Sequence, residues 1–162
     1  MILLGLGANL PSIAGPPLAT LAAALAVLAE AGVTVERRSP WYRTAPVPAG
    51  DQPWYVNGVA VAATPLAPAE LLALLHRVEA RFGRIRRTLN EARPLDLDIL
   101  DYHGLVREAA PVLPHPRLHL RGFVLLPLRD VAPDWRHPVS GEGVTELIGR
   151  LPREQLAERL AD

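Results

Sequence analysis

The apolar residues of this chain switch between strand-like and helix-like spacing in an order that few folds accommodate. Ile2 to Leu6 form a short apolar run stopped by the glycines of "GLGANLPS", which reads as a buried strand. Pro16 and Pro17 suit a first helical turn. Beyond them Leu18, Leu21, Leu25 and Leu28 repeat at helical spacing, with Gly32 placed to end the helix. "VTVERRSPWYRT" alternates loosely as a strand, and the loop "APVPAGDQP" carries it into a second strand, "WYVNGVAVAA". A second helix starts near Pro68, with Leu71, Leu75, Val78 and Phe82 as its buried stripe and Gly83 as its cap. The arginine-rich "RIRRTLNEAR" then leads into a strand over residues 95–102. Strand, helix, strand, strand, helix, strand, with the two successive strands paired antiparallel, describes an α+β fold. The expected form is a ferredoxin-like, mainly antiparallel sheet with helices packed on it. Further on, "VLPHPRLHLRGFVLLPL" reads as loop then helix, and the tail holds helix-like segments near 143–150 and 153–161. With no internal repeat or low-complexity linker, the 162 residues read as one domain, 1–162.

Composition removes several chemistries. There is no cysteine, so disulfides, thiolate nucleophiles and Cys-bound zinc are excluded. All 17 basic residues are arginine, which excludes a Walker-type phosphate lysine and a Schiff base. A formal net charge of +0 argues against a protein that coats nucleic acid or anionic membrane. The opening "MILLGLGANLPS" lacks a basic n-region, and no stretch approaches a membrane span, so a cytoplasmic location is the expectation. Monomer is the default reading.

"RPLDLDIL" carries the sharpest chemical signal. Asp96 and Asp98 lie two apart on a strand, so both side chains share a face, roughly 6–7 Å apart along the chain. Leu95, Leu97 and Ile99 point the other way. Two ionised carboxylates this close repel unless positive charge sits between them. A solvated strand end accounts for a bare D-x-D about as well as a metal site does. The surroundings favour the site: Arg84, Arg86, Arg87 and Arg93 crowd just upstream, and His115 and Arg121 follow. Carboxylates recruit Mg²⁺ and guanidinium forks suit phosphate oxygens, so the combination describes a Mg–nucleotide site. Other patterns are weaker. "GLGAN" has Leu10 where a dinucleotide fingerprint needs its third glycine, and Pro116 between His115 and His119 argues against a helical zinc pair. On "WYVNGVAVAA", Tyr55 and Asn57 share a face, one able to stack on a flat heterocycle and the other to pair with its polar edge.

"GLGANL", "YRTAPV…DQPWYVNGV", "RPLDLDIL" and "LPHPRLHLRGFVLLPL", in this order, resemble the family of 6-hydroxymethyl-7,8-dihydropterin pyrophosphokinases over roughly residues 5 to 135. The resemblance implies that Asp96 and Asp98 hold two Mg²⁺ ions against the phosphates of ATP, the co-substrate. It implies that Arg84, Arg93, His115 and Arg121 contact phosphate and nucleotide, Arg84 and Arg93 catalytically, and adds His76, Glu79 and Ile99 to the nucleotide side. Tyr55 and Phe123 match the aromatic pair that sandwiches the pterin, and Asn57 its hydrogen-bonding amide. Thr44, Ala45 and Val47 line the same pocket, with Asp96 close to the substrate. The implied partners are small molecules, with neither nucleic acid nor membrane. This sequence departs from the family in His76, where an amide side chain is usual, and in "LNEARP", which lacks the usual tryptophan.

The reading is therefore a Mg²⁺-dependent transfer of pyrophosphate from ATP to a hydroxymethyl pterin, in folate biosynthesis. Its rivals are a Mg²⁺-dependent nucleotide phosphohydrolase using the same aspartates and an RNA-binding ferredoxin-like module, the latter short of exposed aromatics. The arginines of residues 84–93 repel one another without phosphates. The loop is thus expected to be mobile in the free protein, with Arg84 and Arg93 arriving late in the reaction.

Overall fold

The computed structural model describes all residues except 47–49, 86–91, 154, 156 and 162. Its centre is β1 (Ile2–Ala8), an apolar strand that β4 (Tyr55–Ala63) and β5 (Asp96–Tyr102) flank antiparallel. The strand keeps its pairing through Gly5 and Gly7 rather than ending at them. β2 (Thr34–Arg38) and β3 (Tyr42–Thr44) both pair with the outer edge of β4. The single strand expected from "VTVERRSPWYRT" is thus broken in two. At the break, Ser39 keeps contact with Val59 through its backbone N–H, 2.8 Å from the Val59 carbonyl, and its Oγ, which accepts the Val59 N–H. The sheet runs β5-β1-β4-β3-β6, with β2 beside β4. It is a mixed α/β, ferredoxin-like arrangement with an antiparallel sheet.

One sheet face is covered by α1 (Pro17–Glu30) and α2 (Pro68–Arg81). Ile2, Leu4, Leu6, Leu97 and Ile99 meet Leu21, Leu28, Leu71, Leu75 and Val78 there. Leu18, expected in the α1 stripe, is exposed, and Ala24 is buried in that stripe. The other face takes α3 (Gly122–Val131) and the short α4 (Val144–Ile148), which bury Leu3, Val59, Val61 and Leu100. β1 is consequently buried on both faces, which is why it reads as a continuous apolar run. Among the described residues no helix is long and apolar enough to cross a membrane.

Two features of register bear on the site. Between Leu3 and Leu4 the pairing with β5 slips, so that Leu3 faces Asp101 and Leu4 faces Ile99. The extra residue, Leu100, turns Asp101 off the face that strict alternation gives it. Asp101 is 4% exposed and accepts hydrogen bonds from Trp135 Nε1 at 2.8 Å and the Gly104 N–H at 3.0 Å. The tail also departs from expectation: among the described residues of 153–161 none is helical, and β6 (Ala157–Arg159) pairs with β3. A lone helix of that length bears the full nucleation cost, whereas the outer edge of β3 offers unpaired peptide groups.

Candidate active site

Asp96 and Asp98 lie on β5 and turn to the α3 side of the sheet, opposite the Leu95, Leu97 and Ile99 side chains in the α1/α2 core. β5 is an edge strand, and its outer peptide groups are open to contacts from α2. Glu79, in the last turn of α2, takes one of them: its Oε2 accepts the Leu97 N–H at 2.8 Å. The same oxygen accepts Arg84 Nη1 at 2.6 Å. The chain makes this possible by reversing at Gly83, whose φ is +91°. The Gly83 N–H donates to the Ala80 carbonyl and the Arg84 N–H to the Glu79 carbonyl, the bonding of a Schellman stop. Arg84 is thereby folded back over the helix end, where Nη1 also donates to Asp96 Oδ1 at 2.5 Å.

This geometry gives a structural role to two residues expected at the site. The Glu79 side chain is 2% exposed and holds Arg84 and the Leu97 amide of β5. Arg84 is 8% exposed and paired with two carboxylates, which anchor it between α2 and β5. Burial works against its charge, and Asp96 and Glu79 outweigh that and raise its pKa. Arg93 Nη1 lies 3.4 Å from Asp96 Oδ2 and its guanidinium sits 6.0 Å from the Tyr55 ring centroid. The expectation of a mobile loop falls on residues 86–91, including Arg86 and Arg87, which lie outside the described residues.

The two aspartates are unequally compensated. Asp96 has the Arg84 and Arg93 guanidiniums against it. Burial, and then the neighbouring Asp96, push the Asp98 carboxyl well above the usual carboxylate range, and Arg121 offsets this only in part. Asp98 therefore has less positive charge against it than Asp96 has. His115 stands nearby, its backbone N–H bonded to the Leu100 carbonyl at 2.9 Å. Burial first, then Arg121, push its ring down to about 4, so the imidazole is neutral at pH 7. Its Nδ1 accepts the Arg117 N–H, which leaves the ring proton on Nε2 as a donor. Among the described residues, no group of three or more carboxylate or imidazole side chains is placed to hold a metal ion.

On the same sheet face, one strand beyond β1, lies the polar part of β4. Asn57 is 6% exposed and Thr44 2% exposed, and Asn57 Nδ2 donates to Thr44 Oγ1 at 2.6 Å. Gly7, the direct partner of Asn57 across the sheet, makes room for this amide: a Cβ at Gly7 would stand 2.3 Å from Asn57 Oδ1. Tyr55 begins β4, half-buried, and its hydroxyl donates to Gln52 Oε1 at 3.2 Å. Phe123, the second residue of α3, is partly buried, with the Arg121 guanidinium 5.2 Å from its ring. Ala45 is half-buried beside Thr44, whereas Val47 lies outside the described residues. His76 is exposed on α2. The Ile99 side chain belongs to the core, so only its backbone on the open edge of β5 remains to meet a nucleotide.

One residue with no assigned role joins these parts. Asn9, 3% exposed, accepts the Arg93 N–H through Oδ1 and donates from Nδ2 to Gln52 Oε1 and the Pro53 carbonyl. It ties the end of β1 to the segments that carry Arg93 and Tyr55. The sequence block "GLGANL" contained it, but nothing local marks an asparagine whose partners lie 43 and 84 residues away.

Comparison with known proteins identifies a family for the chain. A family model described as 7,8-dihydro-6-hydroxymethylpterin-pyrophosphokinase matches residues 3–133. A 2-amino-4-hydroxy-6-hydroxymethyldihydropteridine pyrophosphokinase from Synechocystis is 44% identical over 146 residues, covering 89% of this chain and 72% of that protein. A Pseudomonas aeruginosa protein of the same name is 42% identical over 123 residues, 75% of each chain. In fold, the chain is similar to a Plasmodium falciparum HPPK-DHPS triple mutant with SDX-DHP, at a TM-score of 0.73 and 15% identity. That match covers 92% of this chain and 44% of the other, so the chain spans less than half of that protein. With the family model matching most of the chain, and relatives this similar over most of their length, the chain belongs to the 7,8-dihydro-6-hydroxymethylpterin-pyrophosphokinase family, the pyrophosphokinases of folate biosynthesis.

Proposed function

We propose that this pyrophosphokinase uses ATP as donor and 6-hydroxymethyl-7,8-dihydropterin as acceptor, with Mg²⁺ required. The observation that carries the reading is one sheet face with two chemistries side by side: a carboxylate pair ringed by arginines on β5, and a buried amide–hydroxyl pair beside a tyrosine on β4. Asp96 and Asp98 are hard oxygen donors, and Asp98, only partly offset by Arg121, gives a divalent cation a place to add charge. These two residues would hold the Mg²⁺ ions, which when bound neutralise phosphate charge.

The hydroxymethyl oxygen attacks the β-phosphorus of ATP. The bond from that phosphorus to the α-phosphate oxygen breaks, AMP departs, and the hydroxyl proton passes to water. Asn57 and Thr44 pair with the polar edge of the pterin, and Tyr55 and Phe123 stack on its faces. Arg121, and His115 through Nε2–H, bind phosphate oxygens as charge moves toward AMP. Arg84 is in place before ATP arrives and fixes the direction of Asp96, while Arg93 links the carboxylate to the pterin side.

The test supplies ATP, Mg²⁺ and the hydroxymethyl dihydropterin and identifies the products. AMP with a pterin diphosphate is expected. ADP overturns the reading, and AMP formed equally well without pterin identifies a phosphohydrolase.

A further inference from the structure

The segment after residue 133 lies outside the family match, yet it reaches the residues that flank the proposed phosphate and pterin contacts. Gln155 is the point of contact. Its Oε1 accepts the Gly122 N–H at 2.6 Å and its Nε2 donates to the Leu120 carbonyl at 2.9 Å. One side-chain amide thus grips the backbone on both sides of Arg121. The geometry needs Arg121 extended, and its φ of −119° and ψ of 113° meet that requirement. In an extended stretch the peptide groups of residues 120 and 122 face the same way, so a single amide reaches both.

The grip also completes a helix end. Gly122 is the first residue of α3, whose N-cap, Arg121, has no side-chain hydrogen bond to give it. Gln155 supplies the missing acceptor from 33 residues away. The approach is close: a Cβ at Gly122 would stand 3.2 Å from Gln155 Oε1 and 3.5 Å from Leu151. Two residues later Ala157 pairs with Thr44, the hydroxyl partner of Asn57, so the tail touches the proposed pocket at both ends.

We infer that Gln155 is a positioning residue of the transfer reaction, holding the Leu120–Gly122 backbone so that Arg121 faces Asp98 and Phe123 faces the pterin. The inference rests on the proposed roles of Arg121 and Phe123. Gln155 touches no substrate and acts through those two side chains. Freed from the amide, the Arg121 peptide can rotate, and a guanidinium displaced by about 1 Å can cost up to 10²-fold in rate.

The experiment compares Gln155→Ala and Gln155→Met with Arg121→Ala, Phe123→Ala and the Gln155→Met/Arg121→Ala double variant. Steady-state kinetics in ATP and pterin are read alongside the thermal midpoint. Methionine fills the space of glutamine without its hydrogen bonds, so it separates lost grip from lost packing. Both Gln155 variants are expected to lower kcat/KM by about 10- to 100-fold, the size of such a misplacement. The double variant should be little worse than Arg121→Ala alone, since the two act as a unit. Wild-type kinetics in Gln155→Met, with Arg121→Ala impaired, overturn the inference even if the thermal midpoint falls, because Gln155 then only fastens the tail. Normal kinetics in both Arg121→Ala and Phe123→Ala overturn the assigned site, and the role of Gln155 with it.

Discussion

Removing the Glu79 carboxylate is the most direct test of how the site is built. One oxygen, on a side chain 2% exposed, accepts both the Leu97 N–H at 2.8 Å and Arg84 Nη1 at 2.6 Å. Glu79→Ala leaves a buried guanidinium with Asp96 as its remaining carboxylate, beside the Leu95 carbonyl at 3.3 Å, and leaves an edge-strand amide without its acceptor. Breaking a buried ion pair costs about 3–5 kcal/mol. The orphaned amide, alone about 1–3 kcal/mol, is part of that figure and is not added to it. Against a total stability of about 5–15 kcal/mol, such a loss is large. Glu79→Gln keeps an oxygen for the amide and gives up the charge, so its cost should lie nearer 1.5–3 kcal/mol, roughly that of one charged hydrogen bond. Urea unfolding measures this: with a slope of about 2 kcal/mol per M, Glu79→Ala should shift the midpoint down by about 2 M. A shift worth less than about 0.5 kcal/mol, the range of an ordinary surface change, would refute the argument. So would a glutamine variant as unstable as the alanine one.

Three further outcomes follow from the same geometry. Burial, and then Arg121, depress the folded pKa of His115 from 6.5 to about 4, so its contribution to stability is present above pH 6.5 and lost as pH falls through 4. Thermal midpoints across that window should fall less steeply in His115→Gln, and an unchanged slope counts against a neutral, half-buried ring. Gly7→Ala places a methyl where Asn57 Oδ1 now lies, so calorimetry should show pterin binding weakened with ATP binding unaltered; equal losses would mean the two chemistries are not separate. Asp98 has a raised folded pKa, so its ionised form costs stability that is lost as pH rises through that value. Without Mg²⁺ at neutral pH, Asp98→Asn should match or exceed the wild-type thermal midpoint while turnover collapses. A marked fall in that midpoint would show that the carboxylate is already compensated.

Local pattern was enough for much of this protein. The switches between two-residue and 3.6-residue spacing placed β1, α1, α2, β4 and β5, because each is amphipathic or apolar in its own right and short-range sterics hold it to one conformation. Gly83 was legible as a helix stop because an L-residue with a side chain resists the left-handed backbone found there, at φ +91°. The D-x-D on β5 was legible for a similar reason: strand alternation alone puts both carboxylates on one face.

What local pattern could not carry was anything set by a distant partner. Arg84 looked like part of a free arginine loop, and only the packing of α2 against β5 turned it into an anchored cation between Glu79 and Asp96. Asp101 changed faces because of a one-residue slip against β1, a property of two strands together. The helix-like tail became β6 because the unpaired edge of β3 was there to receive it. By itself the sequence determined which segments would be strands and helices and which residue types would carry charge. Tertiary structure decided which charges meet, because hydrogen bonds and ion pairs across 18 or 33 residues exist only once the sheet has closed the distance.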